Sequence, residues 1–153
     1  MQGPKAGQHI LVPIDFSKHS EKALLFAARL AKGLSMELLI LHVVHDPADD
    51  PGYYHHRKVK KLVQRIEVDA QEMMSSFLEK LVKKHPKVTL FKTATPKLVI
   101  GLPVTRIIEL AEKTQPFMIV LGSQGRTGLS RMLIGSKAET VLRLASTPVT
   151  IVK

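Results

Sequence analysis

Five short apolar runs alternate along this chain with longer segments whose apolar residues recur at helical spacing. Four of the runs are nearly continuous, which is typical of parallel strands covered on both faces. Strands that alternate with helices form right-handed crossovers, so we predict an α/β fold with an open five-stranded parallel sheet and helices on both faces. The predicted strands are residues 9–14, 38–44, 88–93, 117–121 and 149–152, with the more polar 88–93 at an edge.

The segments between the runs carry recognisable helix boundaries. Ser17 or Ser20 suits the start of the first helix and Gly33 its end. The second helix has an apolar stripe over residues 59–81, and Pro103 suits the first position of a third. A fourth begins near Ser136. The methionines of the second helix are predicted to be core residues, as methionine at helical spacing usually is.

Composition limits the class of protein. At 153 residues with 44% hydrophobic content, residues 1–153 are predicted to form a single domain. The absence of cysteine excludes disulfides and a thiolate nucleophile, and it fits a reducing compartment. No apolar stretch approaches the roughly 20 residues of a membrane helix, so we expect a soluble cytoplasmic protein without membrane contact.

The chain is strongly basic, with a formal net charge of +10. Such a charge attracts nucleotides and polyanions alike. Much of it lies on predicted outer helix faces, and aromatic side chains that could stack on bases are few, which favours solvated faces over a nucleic-acid surface. The residues concerned are Arg57, Lys58, Lys60, Lys61, Arg65, Lys83, Lys84 and Lys87.

A glycine-rich segment follows the fourth predicted strand. It reads Gly-Ser-Gln-Gly from residue 122, then nine residues, then Gly135-Ser136 at a predicted helix start. Backbone N–H groups at glycines and at a helix N-terminus favour an anion, so this segment is predicted to hold phosphate. Because open parallel sheets bind ligands beyond the carboxyl ends of their strands, residues 13–16, 43–45 and 122–125 should meet there.

Two common nucleotide motifs are missing. The dinucleotide fingerprint would place glycines after the first strand, where this chain has Asp15-Phe16-Ser17. A P-loop ends in Gly-Lys-Ser or Gly-Lys-Thr, whereas here the order is Gly135-Ser136-Lys137, well past the strand.

The ordered glycines identify a resemblance. The sequence resembles the nucleotide-binding branch of the universal stress protein family, whose pattern is Gly, two residues, Gly, nine residues, then Gly with Ser or Thr. The residues that carry it are Gly122, Gly125, Gly135 and Ser136, supported by the segments 12–17, 41–44, 101–103, 125–131 and 147–152. The resemblance implies a Rossmann-like sheet of the adenine nucleotide alpha hydrolase type, with strand order 3-2-1-4-5.

By the same resemblance, Asp15 lies beside the adenine and ribose or beside a phosphate-bound Mg²⁺, and Val43 or Val44 lines the adenine pocket. The implied ligand is ATP, ADP or AMP. The implied binding residues are Pro13, Ile14, Asp15, Val43, Val44, Gly122, Ser123, Gln124, Gly125, Arg126, Gly135 and Ser136. Arg131 is a further candidate for phosphate, and Gln124 stands where many relatives have a titratable histidine.

Each role has a purely structural alternative. Asp15 could cap a helix, the valines could be core, the glycines could form turns, and Ser136 could be a cap. Replacing Gly122 and Gly135 by valine is expected to abolish ATP binding while the fold stays intact.

The loop before the second helix is rich in histidine and aspartate. Its residues 45–56 have ligand chemistry for zinc or nickel, but the adjacent His55 and His56 fit no closed ligand set. A mobile flap over the nucleotide is the favoured interpretation, since residues 46–52 are typical of turns.

No catalytic triad or acid and base pair emerges, so we expect an ATP-binding stress-response sensor with at most slow hydrolysis or self-phosphorylation and a regulatory protein partner not yet known. Two alternatives remain: a basic binding module for RNA or an acidic protein, and an adenylyl-transferring enzyme, whose motifs near the first strand are missing. The terminal strand 149–152 is expected to form an exposed edge that pairs with a second copy in a homodimer.

Overall fold

The chain folds around one five-stranded sheet in which each pair of neighbouring strands is parallel. The computed structural model describes residues 5–45, 56–124 and 134–153, without the side chains of residues 56–63. The strand order is β3-β2-β1-β4-β5, as predicted. The strands are β1 His9–Ile14, β2 Glu37–Val44, β3 Thr95–Ile100, β4 Met118–Gly122 and β5 Val149–Val152.

Helices cover both faces of the sheet. The helices are α1 Lys18–Leu34, α2 His56–Lys84, α3 Leu90–Thr93, α4 Pro103–Thr114 and α5 Ser136–Leu144. Side chains from α1, α2 and α3 share one buried cluster with Ile10 and Val12 of β1. Those of α4 and α5 share the opposite cluster with Leu11. Successive β1 side chains therefore pack into two different cores, which explains why this strand is apolar at almost every position. None of the described helices is long and apolar enough to cross a membrane.

The third strand corrects the sequence prediction. Residues 88–93 do not form a strand, because Leu90–Thr93 is the short helix α3 and the strand follows at Thr95–Ile100. Phe91 packs into the cluster under α1 and α2 and is only 3% exposed, so the apolar residues here anchor a helical turn. Pro96 and Lys97 interrupt the apolar pattern of this strand, so the sequence does not indicate it. They are tolerated because β3 is an edge strand.

The helix ends follow local chemistry. Ser17 caps α1, with its hydroxyl oxygen accepting the Ser20 N–H at 3.2 Å. Gly33 stays inside α1, and the left-handed residue that ends this helix is Ser35, at φ 54°. Pro103 begins α4, as its fixed φ and missing N–H allow.

Candidate functional site

The sheet reverses its winding between β1 and β4, and the sequence-predicted residues that are described lie at the carboxyl ends of β1, β2 and β4 or just beyond them. Asp15 follows β1, and Ser123 and Gln124 follow β4. The start of α5 is brought to the same end, because the Gly135 N–H donates to the Ser123 carbonyl oxygen at 2.8 Å. Gly125, Arg126 and Arg131 lie outside the described residues, as do residues 46–55 of the histidine-rich loop.

The first turn of α5 offers backbone donors. Glu139 N–H is the first to bond within the helix, to the Gly135 carbonyl at 2.9 Å. The N–H groups of residues 136–138 precede that bond and have no acceptor within the helix. Gly135 is extended, at φ −62° and ψ 143°, and makes no side-chain cap. These donors and the positive end of the helix dipole suit a phosphate, which is the chemistry that the sequence predicts here.

Gly122 owes its identity to packing. A Cβ on Gly122 would lie 2.8 Å from the carbonyl carbon of His19 and 2.9 Å from its oxygen. Those atoms belong to the backbone of α1 and cannot move independently of the helix. The absence of a side chain therefore lets α1 approach the end of β4. The expectation that valine at both Gly122 and Gly135 leaves the fold intact is wrong because of the contact at Gly122.

Asp15 is held by the turn that leads into α1. Its Oδ1 accepts the Ser17 N–H at 3.1 Å and the Ser20 hydroxyl at 2.5 Å. Its own N–H donates to the Ser20 hydroxyl oxygen at 2.9 Å. Asp15 is not the helix cap, because Ser17 has that role. The carboxylate is half-buried at the end of β1, on an intact hydrogen-bond network.

Two opposed effects act on the ionisation of Asp15. Burial raises the pKa of its carboxyl group, but the hydrogen bonds from Ser17 and Ser20 together outweigh burial, so the pKa lies below its ordinary value. Asp15 is therefore a carboxylate at neutral pH. It is a hydrogen-bond acceptor, and its low basicity makes it a poor general base.

The candidate apolar residues divide between the two faces of the sheet. Ile14 belongs to the core under α1, and its carbonyl oxygen accepts from His42 Nδ1 at 2.9 Å. Pro13 precedes it and so points to the opposite face. Val43 packs against the cluster of α4 and α5. Val44 is only 6% exposed, and its carbonyl accepts the Gly101 N–H. Of the two valines, Val43 lies on the same face as the α5 N-terminus.

Sequence reasoning missed the roles of Phe16 and Ser20. Phe16 adopts a left-handed φ of 64°, and its ring lies 4.2 Å from the His42 ring and 5.4 Å from the Phe77 ring. This conformation turns the chain between Asp15 and Ser17. The pattern Asp-x-Ser-x-x-Ser at 15–20 carried the signal, because a serine three residues after a cap lies in the first helical turn.

A separate groove of about 540 Å³ lies beside Phe16 on the α2 side. Phe77 and Met73 line it together with the charged Asp69, Glu72 and Lys80. The side chains that line this groove therefore carry charges of both signs.

Parallel strands that reverse their winding between β1 and β4 define a doubly wound α/β protein, and its switch point carries a helix N-terminus and an oriented carboxylate. The chain belongs to the universal stress protein family, whose sequence profile matches residues 7–153.

Individual relatives agree with that assignment. Universal stress protein MJ0531 of Methanocaldococcus jannaschii is 32% identical over 151 residues, which span 99% of this chain and 85% of the relative. The solved structure of protein MJ0577 from the same organism is 28% identical, covers 95% of both chains and superposes with a TM-score of 0.73. Universal stress protein UspA from Lactobacillus plantarum shares the fold, with 22% identity, a TM-score of 0.74 and coverage of 97% of this chain and 99% of its own.

Proposed function

We propose that this chain binds an adenine nucleotide at the switch point of its sheet and acts as a nucleotide-dependent stress-response regulator. In this proposal, the phosphate oxygens accept hydrogen bonds from the N–H groups in the first turn of α5, and the nucleoside lies beside Asp15 and Val43. The observation that carries it is the bond between Gly135 N–H and Ser123 carbonyl, because this bond holds the helix N-terminus at the end of β4.

Two neighbours in fold support the choice of ligand class. A universal stress protein solved in complex with cAMP is 22% identical and has a TM-score of 0.66 with this chain. The universal stress protein from Archaeoglobus fulgidus, 20% identical, is solved in complex with dAMP. Both proteins hold an adenine nucleotide on the fold that this chain adopts. ATP, ADP and AMP are the ligands proposed for this chain.

Mg²⁺ is proposed to enter with the nucleotide. It commonly binds through phosphate oxygens and one or two carboxylates, with water completing its shell. Asp15 fits that need, because the hydrogen bonds from the Ser17 N–H and the Ser20 hydroxyl both fall on Oδ1. Its Oδ2 is left to face either a nucleoside group or the ion.

We propose binding without efficient catalysis, with at most slow hydrolysis or self-phosphorylation. Asp15 supports this view, because a carboxylate with a lowered pKa is a weak acceptor for a proton from attacking water. A regulator of this kind would work in the cytoplasm, for which a chain free of cysteine is suited.

A homodimer through β5 is part of the proposal. β5 is an edge strand and its four residues are half-buried, so one side of its backbone is open to a second strand. Pairing with another copy would satisfy those groups and protect the edge.

Calorimetric titration of nucleotide-stripped protein with ATP and Mg²⁺, at low and moderate salt, tests the function. We expect saturable binding near one nucleotide per chain, with an affinity that changes little with salt, because directed N–H groups do not act by counterion release. No binding would overturn the proposal. Binding to RNA that falls steeply with salt, in place of ATP binding, would favour the basic surface, where Lys83 and Lys87 are exposed.

A further inference from the structure

Ser20 has an unusual position for a helix serine. It lies in the first turn of α1 and is only 4% exposed. Its hydroxyl oxygen accepts the Asp15 N–H at 2.9 Å, and the hydroxyl donates to Asp15 Oδ1 at 2.5 Å. One buried side chain therefore contacts both the backbone and the carboxylate of Asp15.

The contacts leave the two carboxylate oxygens in different states. Oδ1 accepts from the Ser20 hydroxyl and from the Ser17 N–H, and neither of these two bonds involves Oδ2. Phe16, which lies between Asp15 and Ser17, holds the turn in a left-handed conformation at φ 64°. The carboxylate of Asp15 is therefore held through Oδ1, which leaves Oδ2 to contact a ligand.

We infer that Ser20 is a positioning residue, which acts through Asp15 to aim the Oδ2 atom at a donor group of the bound nucleotide. This inference rests on the proposed function. The physical reason is preorganisation: a carboxylate that is already oriented loses less rotational freedom when the ligand binds. The hydroxyl also favours the ionised form of Asp15, which is the form that accepts a hydrogen bond.

A matched pair of substitutions isolates the hydroxyl. Threonine and valine have nearly the same shape, so Ser20→Thr and Ser20→Val add similar bulk at this buried position, but only threonine keeps a hydroxyl. In titrations with ATP and Mg²⁺, we expect Ser20→Val to weaken binding about tenfold relative to Ser20→Thr. Equal affinities of the two variants would overturn the inference.

Two further readouts separate positioning from a structural role. In the nucleotide-free protein, carbon NMR titration should find a higher pKa of the Asp15 carboxyl in Ser20→Val than in Ser20→Thr. In an Asp15→Asn background, the valine and threonine variants should differ in ATP affinity by less than about twofold, because the effect travels through the carboxylate. A persistent tenfold difference there would contradict the inference.

Wild-type protein sets the reference for both claims. If it does not bind ATP, the proposed function fails and the role of Ser20 fails with it. If it binds ATP but the threonine and valine variants bind alike, only the role of Ser20 is overturned.

Discussion

The backbone of His19 lies so close to Gly122 that a Cβ at position 122 would be 2.8 Å from the His19 carbonyl carbon. This contact joins the start of α1 to the end of β4. Because α1 follows β1, the contact lies at the point where the winding of the sheet reverses, between β1 and β4. A glycine that the sequence assigns to phosphate contact is thus required by helix packing.

Gly122→Ala is expected to destabilise the protein by about 2 kcal/mol, because the added methyl group forces α1 away from the sheet. Thermal unfolding should show a midpoint lower by roughly 5 °C. Gly33→Ala is the control, since a Cβ there meets nothing within 4 Å and the residue is helical. It should stabilise the protein by about 0.5 kcal/mol. An unchanged midpoint in Gly122→Ala would contradict the packing role.

Ser136 allows the backbone donor and the hydroxyl to be tested apart. Proline is tolerated at the first helical position, and Gly135 already has the extended conformation that a following proline requires. Ser136→Pro removes the N–H and the hydroxyl, whereas Ser136→Ala removes the hydroxyl alone. If the N–H binds phosphate, ATP affinity should fall about tenfold in the proline variant relative to alanine. Equal affinities in calorimetry would argue against this donor.

Glu21 links α1 to the end of α2. Its Oε1 accepts from Lys84 Nζ at 2.6 Å and lies 3.1 Å from His85 Nε2. The hydrogen bond from Lys84 lowers the pKa of Glu21 most; burial raises it, and His85 lowers it further. A lowered carboxyl pKa contributes stability above the unfolded pKa of about 4.3, and that contribution is lost as pH falls through the folded value.

Glu21→Gln should therefore reduce stability at neutral pH by less than about 1 kcal/mol, because Lys84 is largely exposed. Denaturant unfolding at a series of pH values should show the difference from wild type shrinking as the solution is acidified below about pH 4.3. Glu109→Gln is the matched control, since Glu109 forms an ion pair with Arg106 on the surface of α4. A constant difference at all pH values would exclude the ion pair as its cause.

The edge of β5 makes a prediction about assembly. Pro148 and Val152 carbonyls accept from β4, so the alternation of the strand turns the Ile151 N–H away from the sheet. Ile151→Pro and Ile151→Ala both remove the packing of the isoleucine, but only proline removes that outward N–H. Light scattering should detect a wild-type dimer at micromolar concentration that is retained in the alanine variant and weakened in the proline variant. A monomeric wild type would refute pairing through β5.

The sequence predicted most of the fold because its strongest patterns reflect burial. β1 is covered on both faces, so its apolar run appears directly in the sequence. The same logic fails at the edge of the sheet. β3 is half-exposed and contains Pro96 and Lys97, while the apolar residues around Phe91 belong to a short helix. Burial at an edge is decided by which elements pack there, and local sequence does not carry that information.

The sequence by itself determined the α/β class, the parallel sheet, a serine cap of α1 at Ser17 or Ser20, and the placement of Asp15, Gly122 and Ser136 at one end of the strands. These follow from periodicity and from the rule that parallel strands end at a common edge. Tertiary structure alone decided that Gly122 is required by the approach of His19 and that Val43 and not Ile14 lies on the α5 face. Each of these depends on distances that are set by how a helix packs on the sheet. A linear pattern of residues does not specify such distances.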